Sequence, residues 1–462
     1  MPKIQIFLIL LFLDLPFLGL GQSDSVQIKE IRVQGNRHTK SQIITRELAL
    51  QAGDWIARAE VENFCRKSRN LIFNTHLFND VMVHSVPTDE GSIVLSIEVI
   101  EKWYIWPYPI IGFADRNFNI WWETQDINRL YAGASVQHYN FRGRAEKLKL
   151  RGLWGYTRLV EMDYEIPYLD KQKKHGLQAI AYYQSNKEVW LKTENNRLQF
   201  LFDPDQRAYK YVFGELAYLY RPKLFVRHRL GLFVEDILVS DTVLTEGANP
   251  RYLAGGRTNQ TSIGIRYAFK WDKRDIAYYP LRGHFIEANV EPRYLVENRS
   301  AYLALRLNAE LFHEFGKGFF GGIGARGKLS APNEQPYALY QSLGYKYFVR
   351  GFEAYVVDGQ HYGLIQSNVK YQLFNRNIQI PYVPFSQFKT APTSVYLTAF
   401  ADAGYVASTR FQEPGNTYQN TWLAGYGVGI DFATYYDRVI RIEYSCNGFG
   451  RKGLYLHFTA PI

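Results

Sequence analysis

From about Trp103 to Ile462 the chain alternates apolar and polar residues with a period of two, and no helix of convincing length interrupts the pattern. In Tyr302 to Leu311, residues Leu303, Leu305, Leu307, Ala309 and Leu311 share one face, and Ala304, Arg306, Asn308 and Glu310 share the other. In Ile263 to Arg274, Ile263, Ile265, Tyr267, Phe269 and Trp271 oppose Gly264, Arg266, Ala268, Lys270, Asp272 and Arg274. Aromatic and aliphatic residues on one face with charges on the other are what a transmembrane β-strand needs, because one face meets lipid and the other a polar lumen. A soluble β-sandwich has the same period, but not 35 Tyr and 30 Phe beside only 3 Met. After the first residues no stretch approaches ~18 consecutive apolar residues, so no membrane helix is expected. At roughly 20 to 25 residues per strand and connection, the segment predicts 14 to 18 antiparallel strands, with about 16 as the even number in the middle.

The two segments before it read differently. Lys3 followed by an apolar run from Ile4 to Leu20, with Gly19 and Gly21 beside Leu20, has the form of a secretory signal peptide, residues 1–21. Residues 24–102 alternate as a strand over Gln27 to Val33, turn at Gly35-Asn36, and predict a short helix through Ile43, Ile44, Leu48 and Leu50 capped by Thr39. Gly53-Asp54 breaks it. A longer helix is predicted from Ala59 to Phe73, packing through Val61, Phe64, Cys65, Leu71 and Ile72. Strands at Val81 to Val86 and Ile93 to Ile100 complete one small α+β core. Cys65 and Cys446 fall in different segments and are expected to be free thiols.

Val33-Gln34-Gly35-Asn36, Thr39, Arg46-Glu47-Leu48 and Gly53-Asp54, in that order and spacing, make this segment resemble a POTRA domain, a periplasmic module of outer-membrane assembly proteins. Within the strand region, Val349-Arg350-Gly351-Phe352 follows a stretch rich in Gly and Tyr, Gly344 to Phe348. Phe400-Ala401-Asp402-Ala403-Gly404 lies on a later strand. There Val395, Leu397, Ala399 and Ala401 form the apolar face, which turns Phe400 and Asp402 toward the lumen. These two motifs together resemble the BamA/TamA-type outer-membrane assembly superfamily, in which a long loop folds into the barrel and its arginine pairs with a strand aspartate. Further likeness lies in Asp272, Arg274 and Asp275 with Pro280, Arg282 and Gly283 at mid-barrel, in Asn140 to Arg144 with Pro167-Tyr168-Leu169, and in Gly425, Gly427 and Gly429 with Ile440 to Tyr444. A single POTRA-like domain and the ending Phe458-Thr459-Ala460-Pro461-Ile462 depart from the family pattern.

The resemblance implies a barrel over residues 103–462 in the outer membrane, the small domain in the periplasm, and a factor that inserts or translocates client polypeptides. The partners so implied are outer-membrane lipids and lipopolysaccharide, unfolded outer-membrane or secreted clients, and periplasmic or lipoprotein accessory subunits bound through the POTRA-like domain. A lateral seam is expected between a first strand carrying Tyr104, Trp106 and Pro107 and a last strand carrying Leu456 and Phe458. Pro107 and Pro109 each remove a donor there. The alternative is a secretion pore of the two-partner type, which shares barrel and loop motif but usually has two POTRA domains and a plug helix. The few residues between the cleavage region and Gln27 leave no room for that helix. An enzyme is not expected: the chain has no Gly-x-Ser-x-Gly, no His-Glu-x-x-His and no Cys/His cluster, so neither cofactor nor metal is expected. His313-Glu314 and His361 are expected to be solvated. The net charge of +10 lacks a basic run and suits anionic headgroups or an acidic client, not nucleic acid.

Overall fold

The computed structural model describes residues 24–458 apart from 89–90, 114–121, 123–124, 126, 204–206, 246–247, 380–389, 412, 414 and 435–437; residues 1–21, expected to be a signal peptide, lie outside the described residues. The N-terminal domain runs β1 (Ser25–Gln34), α1 (Ser41–Thr45), β2 (Trp55–Ala57), α2 (Val61–Phe73), β3 (Phe78–Pro87) and β4 (Ile93–Glu101). Its sheet has the order β2-β1-β4-β3. β1 and β4 are parallel, with Val33 opposite Ile97, and the helices make the crossover that parallel pairing requires. Val26, Ile28, Leu95 and Ile97 from the sheet bury against Val61, Phe64, Cys65 and Ile72 of α2. Gly35 is needed at its turn, since it adopts φ +87 and a Cβ there would lie 2.0 Å from the Val99 carbonyl.

Three expectations for this domain change. β2 had no clear alternating signature and arises by antiparallel pairing with β1. Thr39 caps nothing: the residue before α1 is Lys40, with no side-chain cap hydrogen bond, and α1 is only five residues long. The Thr39 side chain is used in a tertiary contact described below. Leu71 is half-buried and faces a cavity under the domain instead of its core.

Sixteen antiparallel strands form one further sheet among the described residues. The first five are β5 (Ile105–Phe113), β6 (Leu130–Phe141), β7 (Glu146–Gly155), β8 (Thr157–Ile166) and β9 (His175–Asn186). A hairpin, β10 (Glu188–Glu194) and β11 (Arg197–Phe202), then leaves the barrel sheet and pairs only with itself. The barrel resumes with β12 (Tyr209–Lys223), β13 (Val226–Val239), β14 (Asn259–Asp272), β15 (Gly283–Leu295), β16 (Ser300–Gly316) and β17 (Phe319–Ala331). It ends with β18 (His361–Gln379), β19 (Thr390–Ala407), β20 (Trp422–Thr434), β21 (Arg438–Asn447) and β22 (Lys452–His457).

The alternation sorts as lipid and lumen require. Leu303, Leu305, Leu307 and Leu311 of β16 are exposed on the outer face, whereas Glu310 of the same strand is buried inside. Inward charges form a connected ladder: Glu215 pairs with Arg229 and Arg266, Glu291 with Arg266 and Arg293, and Arg293 with Glu235, at 2.6–3.2 Å. No described helix is long and apolar enough to cross a membrane. The longest connections lie at the end away from the domain, where β10–β11 packs Val189 and Leu191 against Tyr252, Leu253 and Tyr337. Cys65 and Cys446 are free thiols.

Candidate functional site

The connection from β17 to β18, residues 332–360, enters the lumen and is pinned there by Arg350. The Arg350 guanidinium donates from Nη2 to Asp402 Oδ1 at 2.5 Å and from Nε to Asp402 Oδ2 at 2.8 Å, while its backbone N–H donates to the same Oδ2 at 3.1 Å. Gln366 Nε2 adds a donor at 3.2 Å. Side-chain exposure is 3% for Arg350 and 0% for Asp402, so water contributes little screening. The guanidinium also donates to the Ser367 carbonyl at 3.0 Å, faces Glu443 Oε1 at 3.5 Å and lies 3.9 Å above the Phe400 ring. A planar fork, two parallel bonds and an aromatic face suit arginine and not lysine.

The rest of both motifs makes room for that pair. Val349 and Phe352 are buried with Leu343, Tyr355, Tyr418 and Leu423. Gly351 has φ +89 and its carbonyl accepts from Asn447 Nδ2 at 2.9 Å. On the strands beneath, a Cβ at Gly404 would lie 2.7 Å from Val349 Cγ2, and one at Gly425 would lie 1.8 Å from the Arg350 carbonyl. Glycine at both positions lets the loop backbone settle on the barrel wall.

The mid-barrel residues lie at the opposite end and serve the domain junction. Arg274 forks onto Asp272 at 2.9 and 2.9 Å and reaches Glu310 at 3.2 Å. Asp275 Oδ1 accepts the backbone N–H groups of Ile276, Leu281 and Arg282, which shapes the turn into Gly283, at φ +99. Asn74, at the end of α2, donates to the Asp275 carbonyl at 2.9 Å and accepts from the Ala277 N–H at 3.2 Å. Glu47 forks onto Arg221 of β12, both bonds 2.6 Å, with 3% and 9% exposure. Burial alone would raise the Glu47 carboxyl, but Arg221 and Arg46 hold it below its ordinary range. Thr39 Oγ1 meets the Tyr104 hydroxyl at 2.7 Å and accepts from Asn140 Nδ2 at 2.8 Å. Its N–H donates to Glu101 at 2.7 Å, and such bonds hold the Glu101 carboxyl low against the opposing effect of burial. Between domain and barrel mouth lies a 440 Å³ cavity whose lining includes Leu71, Arg227, Lys270 and Arg274.

The barrel sheet ends at β5 and β22, and no ladder joins them among the described residues. The Tyr139 N–H donates to the Tyr104 carbonyl, so even-numbered residues of β5 bond β6 and odd-numbered ones turn their backbone to the free edge. Pro107 and Pro109 are both odd: the free edge keeps its carbonyls but lacks two donors. On β22 the Asn447 N–H donates to the Arg451 carbonyl, which by the same alternation turns Lys452, Leu454 and Leu456 outward. Trp106 is half-buried and donates from Nε1 to the Trp103 carbonyl at 2.5 Å, and Phe458 is exposed beyond β22. Tyr104 does not belong to this edge: it precedes β5 and its side chain is committed to the domain junction. Thr459 and beyond lie outside the described residues.

Residues 140–436 match the family model described as the Omp85 superfamily domain. The chain belongs to the Omp85 superfamily. Residues 26–102 match a POTRA model described as a surface antigen variable number repeat. Among solved structures, BamA from Haemophilus ducreyi lacking POTRA domains 1–3 is 14% identical over 94% of this chain and 84% of that one, with a TM-score of 0.52. CdiB from Escherichia coli is 13% identical over 94% of this chain and 75% of its own, with a TM-score of 0.53. At such identities the likeness is one of fold. No curated protein matches the sequence.

Between the POTRA domain and the Omp85 barrel, sequence reasoning missed Glu47 and Arg221 as a junction pair, because their partnership spans 174 residues. It named Glu443 only within the Ile440 to Tyr444 stretch and did not bring it together with Glu353 and His457, with which it converges beside Arg350. Strand phase offered a signal for Glu443, since it shares the inward parity of Arg441 on β21. Glu353 and His457 carried none.

Proposed function

We propose that this protein is an outer-membrane assembly factor that receives client strands at the parted edges of β5 and β22. Membership of the Omp85 superfamily supports an outer-membrane insertion or translocation role. The observation that carries the finer reading is the pair of free edges, one of them stripped of two donors by Pro107 and Pro109. In lipid an unpaired backbone group costs several kcal/mol, so an entering client strand gains by pairing with whichever edge opens. The loop and the β10–β11 hairpin fill the lumen and the far end, which favours a sideways route over passage through the pore. Outer-membrane lipid and lipopolysaccharide surround the outer face. Accessory subunits have the free edge of β3 available for strand addition.

A photo-crosslinking amino acid placed at Ile111 or Leu454, 81% and 70% exposed, should capture newly exported outer-membrane polypeptides. The same probe at Leu232, 64% exposed on β13, should capture lipid and little protein. Equal polypeptide capture at all three positions would overturn the seam, and capture confined to lumen positions would favour the two-partner secretion pore instead.

A further inference from the structure

Glu353, one residue past the loop motif, meets Glu443 of β21 and His457 of β22. One ligand atom from each lies within 4.8 Å of the other two. His457 Nε2 is 3.3 Å from Glu443 Oε2 and 3.8 Å from Glu353 Oε1. The carboxylate side chains are each 1% exposed and the imidazole 18%. Despite their proximity, Glu443 Oε2 and His457 Nε2 are buried and neither makes a hydrogen bond. Ligands on a tetrahedral ion with bonds of ~2.0–2.2 Å stand about 3.3–3.6 Å apart, and the two separations from His457 Nε2, 3.3 and 3.8 Å, come close to that range.

The outer atoms of the cluster are held as those of a coordinating set usually are. Glu353 Oε2 accepts the Gly351 N–H at 2.9 Å. Glu443 Oε1 faces Arg350 Nη1 and Arg441 Nε, each at 3.5 Å. The Phe348 ring stacks on His457. Both arginines are shared between Glu443 and a closer aspartate, Arg350 being forked onto Asp402 and Arg441 onto Asp431 at 2.7 and 2.9 Å. Two buried carboxyl groups and one imidazole converge there, a donor set that suits a divalent cation.

We infer that Glu353, Glu443 and His457 form a binding site for a divalent transition metal of the zinc class. Imidazole with carboxylates selects such ions over magnesium or calcium, which prefer all-oxygen shells. The ion would tie the lumen loop to the last two strands and so stiffen one side of the seam. That consequence rests on the proposed function; the binding does not.

The test titrates Zn²⁺ into the full-length protein in detergent micelles after chelator treatment, and records the visible spectrum with Co²⁺. One Zn²⁺ per chain and a tetrahedral Co²⁺ spectrum are expected. His457→Gln and Glu443→Gln should each weaken binding by roughly 100-fold or more, beyond the loss typical of outer-shell changes. His313→Gln, at an exposed position of β16, should leave it unchanged. Zn²⁺ should also raise the temperature at which the unboiled compact form is lost in the wild type but not in His457→Gln. Absence of stoichiometric Zn²⁺ binding by the wild type, or equal binding by His457→Gln, overturns the site. The wild-type titration decides even if a variant fails to fold. Failure of the seam crosslinks with Zn²⁺ still bound would remove the proposed function and leave the metal site standing.

Discussion

Arg350→Ala would leave Asp402 enclosed, with two guanidinium bonds gone and two donors remaining, Gln366 Nε2 and the backbone N–H of residue 350. Asp402→Ala would leave Arg350 with the Ser367 carbonyl, Glu443 and the Phe400 face. Orphaning one partner of a buried pair costs about 3 to 5 kcal/mol, and the retained contacts place both variants toward the lower end. The barrel ladder is untouched, so the cost falls on the seating of the loop. Protease cleavage within residues 340–360 reads the unseated population, and each single variant should raise it roughly 100-fold or more at 1.4 kcal/mol per decade. The double variant removes both charges and should be little worse than either single, a coupling of about 2 to 3 kcal/mol. The swap Arg350→Asp with Asp402→Arg should rescue only in part, because the fork is not symmetrical. Additive effects in barrels that keep their compact unboiled mobility would refute the claim that this pair seats the loop.

Gly425→Ala should unseat the loop, since its Cβ would lie 1.8 Å from the Arg350 carbonyl, whereas Gly363→Ala on β18 meets nothing within 4 Å and should protect the loop as the wild type does. Because Arg221 holds Glu47 below its ordinary value near 4.5, docking of the domain on the barrel should be fully supported above that value and weaken only as pH falls through the lower, folded one. Protease sensitivity around Lys102 between pH 7 and 3 measures this, and loosening already at pH 6 would contradict it. Residues 24–102, which carry their own buried core, should give a folded circular dichroism spectrum when isolated; an unfolded spectrum would refute that boundary.

What could be read from sequence is what has a period or a local motif. The lipid face of β16 and the inward face of β19 follow from alternation alone, because one side of each strand must be apolar and the other need not be. About sixteen strands followed from length. The domain's turn at Gly35 and its long helix were legible for the same local reason. The losses come from partnerships across the chain. Thr39 reads locally as a helix cap, yet its hydroxyl is claimed by Tyr104 and Asn140, 65 and 101 residues away. β2 exists only because β1 offers it an edge. The β10–β11 hairpin has strand character but no signal that it leaves the barrel. His457 looks like any polar strand residue until Glu353 and Glu443 are brought beside it.

The placement of these elements bears on how a seam can open without unfolding the barrel. A closed barrel has no edge, and parting any ladder in lipid exposes donors and acceptors together. Here the cost is distributed unevenly. The β5 edge lacks two donors through Pro107 and Pro109, so closing it gains fewer bonds than an ordinary pair of strands would, and opening it forfeits fewer. On the other side, Arg350 ties the loop to Asp402 on β19, and Asn447 ties the Gly351 carbonyl to β21, which stiffens the strands leading to β22. The domain clamps the start of the barrel through Tyr104 and Asn140, just before β5 and at the end of β6. With both flanks held and no ladder between β5 and β22 among the described residues, the proposed function would direct strain from an arriving strand to one line. Under the proposed lateral route, the loop pair acts on that line through β21, where Arg350 lies 3.5 Å from Glu443 and Asn447 holds the Gly351 carbonyl.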